Sequence, residues 1–326
     1  MKHIFIIHSS TVLLSALGVI ELDNIKHKDV IFLYGRNFTT SIKPNDIVSY
    51  DVSSEYNFWK ENGLIGRRTK IKQEVKKIDD LIDRLTCEEY FAYVPHTGTH
   101  FFQSFVTNKH CIRVNWIQEG AYSFFTKPIA DPFRVFIFNI LFSTKRTWYQ
   151  LNWDIPFHSR KRFKMGNAYA LNDEFFKPLE RFGVTSICIT WPRFDNIDAE
   201  LPQGSHIFLF ESAVELGLVE KETYIAGCKE LIKMCKSKSC FVKFHPNQNN
   251  ENIKDIRELF KGMSVRDCRD DIPFELIMAT SQNLNLYGFT TSLLKFGEDL
   301  GHNVISLKDF LINNSQSFKS YYNSMK

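Results

Sequence analysis

The sequence predicts an α/β fold organised as two Rossmann-like halves, and three observations carry that prediction. Short apolar strands alternate with helical stretches from end to end. The alternation restarts after a Pro- and Gly-bearing segment past the middle. A chain of 326 residues is long enough to build two hydrophobic cores.

Taken in order, "HIFII" (3–7) is an all-apolar run of the kind that forms a buried parallel strand, with a helix after it. "VIFLY" (30–34), "EYFAYVP" (89–95) and "CIRVNWI" (111–117) follow as strands. Between the second and third lies "RTKIKQEVKKIDDLIDRL" (68–85), whose apolar residues recur at helical spacing beneath a charged outer face. In the second half, "HIFLF" (206–210), "CFVKF" (240–244), "MSVRD" (263–267) and "LNLYG" (284–288) read as strands. "KETYIAGCKELIKMCK" (221–236) and "TSLLKFGEDLG" (291–301) read as helices. "WPRFDNIDAELPQGS" (191–205), with two prolines, a glycine and several acids, is the expected linker. The expected domains are 1–195 and 196–305, with 306–326 a terminal helix packing back on the first. Two nearly equal α/β halves of this kind suggest the GT-B architecture, two Rossmann-like domains facing a central cleft.

Composition narrows the function classes. The chain is 44% hydrophobic and 24% charged, as ordinary soluble proteins are, and its formal charge of +4 lacks the basic bias of a nucleic-acid partner. Seven cysteines, odd in number and without a CxxC pair, argue against a disulfide framework or a structural zinc site and for free thiols in a reducing cytoplasm. The opening apolar stretch is broken by His8-Ser9-Ser10-Thr11 and no small-x-small cleavage site follows, so it reads as strand and helix rather than a leader. "FRVFIFNILF" (133–142) is far too short to cross a bilayer as a helix.

Ligands of open α/β sheets bind beyond the carboxyl ends of the strands, so the residues just past each strand are the candidates. "CFVKFHPNQ" ends a strand on His245-Pro246. The proline fixes its own φ and biases His245 towards extended backbone, aiming the imidazole. Lys243, two residues earlier, projects from the same strand face, and the pair would suit a phosphate leaving group. The stretch fits equally a histidine that begins a turn. In "NLYGFTTSLLKF" a strand ends at Gly288 and Thr290-Thr291-Ser292 opens a helix, where hydroxyls and free N–H groups favour a phosphate or serve as a plain N-cap. Glu275 in "IPFELIM" stands at a helix start, able to accept from a ribose diol or simply to complement the helix dipole. In the first half "CIRVNWIQEG" ends on Gln118-Glu119-Gly120: a strand-end carboxylate before a glycine suits a general base, although many such pairs are turns. His96 and His100 follow one strand and His8-Ser9-Ser10 another, all on the same edge. Gly98 between His96 and His100 argues against a helical metal pair.

The order acid-Gly (119–120), Lys-x-His-Pro (243–246), Pro-x-Glu (273–275) and Thr-Ser (291–292) resembles the bacterial sialyltransferases, including the lipooligosaccharide, capsule and O-antigen enzymes and the polysialyltransferases. "HIFLFESAVELGLVEKETYIAGCKELI" also looks like the strand and helix before their His-Pro motif. The resemblance covers the C-terminal half and, in the N-terminal half, mainly 89–122. It implies a GT-B enzyme that carries out an inverting, metal-independent transfer from CMP-sialic acid to a hydroxyl of a bacterial surface glycan, galactose by expectation. The N-terminal domain would be the acceptor side and the second domain the donor side. Glu119 would be the general base, with Gln118, Gly120, His96, Ser9 and Ser10 on the acceptor side. His245 would be the general acid or phosphate stabiliser, and Lys243, Pro246, Glu275, Gly288, Thr291 and Ser292 would bind the donor. No cofactor or metal is implied.

One departure stands out. The family pattern has two acids before the glycine, and the first here is Gln118, whose expected role is to orient the acceptor or to mark a Kdo-type donor. Another GT-B transferase using CMP-Kdo, or a non-catalytic glycan- or nucleotide-binding protein, remains the alternative. The basic, aromatic stretch 143–164 could meet an anionic inner-membrane surface presenting a lipid-linked acceptor, grip an acidic glycan, or be an exposed loop. The expected location is cytoplasmic, with peripheral contact at that membrane.

Overall fold

The computed structural model describes residues 1–120 apart from 41, 43, 45, 62–67, 87 and 97–99, and then 164–192 and 200–325. The stretches 133–142 and 143–163 and linker residues 193–199, on which several expectations fall, lie outside the described residues. The chain divides into two compact units, Met1–Pro192 and Arg193–Lys326.

The first unit holds seven strands: β1 (Lys2–Ile7), β2 (Val30–Tyr34), β3 (Val48–Asp51), β4 (Tyr90–Val94), β5 (Cys111–Ile117), β6 (Lys164–Ala170) and β7 (Thr185–Cys188). They form one parallel sheet in the order β3-β2-β1-β4-β5-β6-β7. Its helices include α1 (Ser10–Leu22), α2 (Ser53–Glu61), α3 (Arg68–Leu85) and α4 (His100–Val106), and Asp173–Phe182 forms a 3₁₀ helix. The inner strands are apolar on both faces because helices cover both. Ile4, Ile6, Leu33, Val94, Val114 and Trp116 of the sheet share a core with Ile78 and Ile82 of α3 and Phe101, Phe102 and Phe105 of α4.

The β5–β6 pairing slips by one residue, Val114 facing Met165 while Trp116 faces Ala168. The Asn115 side chain covers the slip, its Oδ1 accepting the Asn167 N–H at 2.9 Å. A Cβ on Gly166 would lie 2.0 Å from that same oxygen, so glycine is required there by close approach.

The second unit holds β8 (His206–Phe210), β9 (Ser239–Phe244), β10 (Ser264–Asp267), β11 (Asn285–Gly288) and β12 (Asn303–Ser306), parallel in the order β10-β9-β8-β11-β12. Its helices are α5 (Lys221–Met234), α6 (Asn250–Glu258), α7 (Phe274–Thr280), α8 (Ser292–Asp299), α9 (Lys308–Asn314) and α10 (Gln316–Met325). The segment 306–326, expected as one helix returning to the first domain, is instead two helices belonging to the second unit. The break falls at Ser315, and Phe318 of α10 is buried in the core with Tyr224, Phe289 and Leu311.

In each sheet the strand order reverses once, beside β1 and β4 in the first unit and beside β8 and β11 in the second. Loops at the carboxyl side of such a reversal diverge and leave a crevice. The residues after β1, β4, β8 and β11 are therefore where this fold favours ligand chemistry.

Candidate functional site

Three strand ends of the first unit meet at one carboxylate. Glu119 follows β5, His8 follows β1 and His96 follows β4. Glu119 Oε1 lies 2.6 Å from His8 Nε2, and Oε2 lies 3.7 Å from His96 Nε2. The histidines are buried at 1% and 10% side-chain exposure, whereas Glu119 is 25% exposed. Burial pushes the Glu119 carboxyl up, but the hydrogen bond and charge of His8, with His96 and Arg36, outweigh it and hold the group below the ordinary carboxylate range. The His8 bond and the Arg36 charge persist at neutral pH, whereas burial pushes His96 down to about 4 against the pull of Glu119 and leaves its ring uncharged there. Arg36 stands in the loop after β2 beside Asn37, both at positive φ (60° and 54°), a costly backbone for residues with side chains. The carboxylate is thus ionised, partly exposed and flanked by three basic side chains.

The neighbours expected on the acceptor side divide. Ser9 caps α1, its hydroxyl accepting the Val12 N–H at 3.4 Å, and Ser10 is the first residue of that helix; both are half-buried. A Cβ on Gly120 would meet no atom within 4 Å among the described residues, and its φ lies outside the left-handed region. Gln118 corrects the expectation that it faces an acceptor. It is fully buried, its Nε2 donating to Gly120 O at 2.9 Å and its Oε1 accepting from Leu171 N at 2.8 Å. Both ends of the amide are occupied in bracing the turn that carries Glu119 to the end of β6.

In the second unit the strand ends after β8, β9 and β11 share one edge. The His245 N–H continues the ladder to Phe210 O at 3.0 Å and also reaches Gln248 Oε1 at 2.8 Å. His245 Nδ1 accepts the Asn247 N–H at 3.1 Å, which places the neutral ring's proton on Nε2 and leaves that N–H as the donor. His245 and Pro246 are both exposed at the tip of β9. The expected partnership of Lys243 with His245 is replaced by an ion pair: Lys243 Nζ lies 2.6 Å from Asp270 Oδ1, in the loop after β10. Glu275 occupies the first turn of α7, half-buried and already partnered. Thr291 is the N-cap of α8, its Oγ1 accepting the Leu293 N–H at 3.4 Å, and Ser292 is the first helical residue. Gly288 has a packing reason instead of a ligand reason: a Cβ there would press Leu209 O at 3.0 Å and Leu294 Cδ1 at 3.2 Å.

One residue at this edge escaped the sequence reading. Glu211 directly follows β8, and its carboxyl accepts from Thr290 Oγ1 at 2.9 Å and, at 3.3 Å, from Thr290 N. Its main chain grips Tyr224, whose hydroxyl accepts the Glu211 N–H and donates to Glu211 O, both at 3.0 Å. Burial pushes the Glu211 carboxyl up to about 7 although both Thr290 bonds pull it down. The available signal was position alone, an acid immediately after a strand at the sheet's reversal. Among the described residues, no group of three or more His, Cys, Asp or Glu side chains is arranged to hold a metal ion, and no helix is long and apolar enough to cross a membrane.

Two parallel Rossmann-like units with polar chemistry at their carboxyl edges define an α/β protein of the GT-B class. Solved structures agree with that fold. The Methanocaldococcus jannaschii UDP-GlcNAc 2-epimerase, in complex with UDP-GlcNAc and UDP, is 10% identical over 99% of this chain and 87% of its own, with a TM-score of 0.51. S. aureus MnaA, solved with UDP, is 10% identical over 99% of this chain and 82% of its own, also with a TM-score of 0.51. A Listeria monocytogenes protein assigned as a UDP-N-acetylglucosamine 2-epimerase reaches 0.52 at 9% identity, covering 95% of this chain and 79% of that one. The likeness to sialyltransferases drawn from the motifs is not repeated among these three. No family model matches the chain, and no curated protein matches it in sequence.

Proposed function

We propose that the protein is a GT-B glycosyltransferase that uses a nucleotide-sugar donor, with CMP-sialic acid as the donor and a hydroxyl of a surface glycan as the acceptor. The observation that carries the transferase reading is the Glu119 carboxylate, ionised, partly exposed and fixed at 2.6 Å by a buried histidine. In the proposed reaction Glu119 takes the proton of the acceptor hydroxyl as that oxygen attacks the anomeric carbon. The new C–O bond forms as the bond from that carbon to the phosphate oxygen breaks, and its electron pair leaves with CMP. The configuration inverts because attack and departure lie on opposite faces. His245 donates from Nε2 to the departing phosphate, and the Thr291-Ser292 helix start adds N–H donors. Glu275 is the proposed ribose acceptor. A low carboxyl pKa makes Glu119 a weaker base but keeps it deprotonated throughout the physiological range.

The CMP specificity rests on the motif resemblance, whereas two of the fold relatives are solved with UDP, so the test compares the two nucleotides. Titration calorimetry of the intact protein with CMP and UDP, followed by CMP release from CMP-sialic acid with lactoside and sialyl-lactoside acceptors, is the experiment. CMP should bind in preference to UDP, and CMP release should depend on acceptor. Glu119→Gln should bind CMP as the wild type does and lose transfer by about 10²–10⁴-fold, the usual worth of a general base. Preference for UDP would remove the sialyltransferase reading, and substantial transfer by Glu119→Gln would remove the base assignment.

A further inference from the structure

We propose that His8, which gives and takes no proton in the reaction as written above, is the positioning residue of Glu119: an inverted dyad in which the imidazole is the inner member and the carboxylate the outer one. The inference rests on the reading of Glu119 as the base.

Exposure decides the order of the pair. His8 is 1% exposed and the Glu119 side chain 25%, with Oε2 itself buried, so the pair opens outward through Glu119 and an acceptor hydroxyl would meet it at Oε1 and not at the ring. Neither ring nitrogen of His8 can serve an acceptor directly. Nε2 is occupied by Glu119 Oε1, and Nδ1 is buried without a partner among the described residues. An ionised carboxylate offers only lone pairs, so the hydrogen in the 2.6 Å contact sits on His8 Nε2. That bond sets the plane of the carboxylate.

The ring itself is held on three sides. Tyr56 stacks on it at 6.0 Å and 25°, Phe102 lies tilted at 5.8 Å, and His96 stands edge-on at 6.4 Å. Its backbone follows directly from β1, at the sheet's reversal, so the imidazole is mounted on an inner strand of the unit. A rotation of His8 would have to displace buried aromatic rings.

Two polar atoms occur together here: His8 Nδ1 and Glu119 Oε2 are both buried without a hydrogen bond among the described residues, Oε2 having only His96 Nε2 at 3.7 Å. A fold selected only for stability would have replaced such a pair by apolar groups, because each unsatisfied buried atom costs free energy. Their retention beside a partly exposed carboxylate is what a held, reactive group requires. The other titratable groups facing that carboxylate among the described residues are His96 after β4, Arg36 after β2 and Tyr56 of α2.

The test separates this inference from the reaction it serves. Carboxyl-¹³C titration of Glu119 in the intact protein should give a midpoint below the ordinary carboxylate range. The midpoint should rise in His8→Phe, which keeps the ring and loses the donor, and return part of the way in His8→Gln, which restores an N–H. ¹⁵N spectra of unaltered His8 should show a protonated Nε2 and a bare Nδ1, a reading that survives even if the variants do not fold. An unmoved Glu119 midpoint in folded His8→Phe, or a proton found on Nδ1 and not on Nε2, overturns the inference. Where wild-type transfer is measurable, His8→Phe should lower kcat about 10²-fold with donor KM unchanged, the cost of a misplaced catalytic group. A wild type inert towards CMP-sialic acid would sink the donor assignment and leave the titration result standing.

Discussion

Glu211 shows what one buried carboxyl does to a protein's pH response. Its folded pKa is raised from an ordinary 4.5 to about 7, so ionisation favours the unfolded chain. The stability it leaves available is therefore highest below about pH 4.5, declines from there to about pH 7, and levels off above. Replacing it with glutamine removes the ionisation while keeping an acceptor for the Thr290 N–H. Glu211→Gln should gain stability relative to wild type as pH rises through that window, on the order of 3 kcal/mol by pH 8. Urea denaturation of both proteins at pH 5 and pH 8 measures this, and a difference that does not change with pH would refute it. The same residue marks how far a sequence reveals a site. Glu119 and His245 stood out because each ends a recognisable strand in a motif of known order. Glu211 needs Thr290, 79 positions away, to be seen as anything but a turn acid. The Lys243–Asp270 pair was likewise hidden, since Asp270 sits in a loop 27 residues further on. Gln118 was expected to orient the acceptor and is a strut, because its partner at Leu171 comes within reach only once β6 lies beside β5.

At the scale of elements, legibility followed burial. Strands covered on both faces, such as β1 and β2, are continuous apolar runs that sequence exposes directly, and the predicted 68–85 helix agrees with α3 as observed. The edge strands β3 and β12 escaped because each is four residues long and largely exposed, with "VSYD" and "NVIS" offering no apolar run. The strand β6 escaped for a different reason, since Gly166 and Asn167 interrupt the apolar pattern in "KMGNAYA". The Asn115 carbonyl explains why both are there, and it makes a prediction for the element. Gly166→Ala would set a methyl 2.0 Å from Asn115 Oδ1 and 2.8 Å from Val114 O. Relief by rotating Asn115 would forfeit its bond to Asn167 N, and the Val114 carbonyl cannot move without disturbing β5. The variant should lose about 1–3 kcal/mol, the usual cost of overpacking. Thermal unfolding of Gly166→Ala is the measurement, and an unchanged Tm would mean that the β5–β6 slip is loosely held.

For the molecule as a whole, the two units have separate cores, with Trp116 and the α4 phenylalanines in one and Phe208, Tyr224 and Phe260 in the other. Separate cores mean that a ligand held by one unit need stabilise only that unit. A ligand at 100 times its Kd adds about 2.7 kcal/mol to the state that binds it. If the donor nucleotide is held by the second unit, as proposed, CMP should slow amide exchange at the strand ends after β8, β9 and β11, around Glu211, His245 and Thr290. Amides of β1 and β5 should exchange as before. Hydrogen exchange read by mass spectrometry, with and without CMP, resolves the two sets because they fall in different peptides. Protection confined to the loops after β1, β4 and β5 would transfer the nucleotide to the unit of Glu119 and exchange the roles assigned to the two carboxyl edges. Protection of the second unit by CMP but not by UDP would join the donor assignment to the fold, because the nucleobase would then be distinguished by the unit that carries the exposed His245 and the half-buried helix start at Thr291.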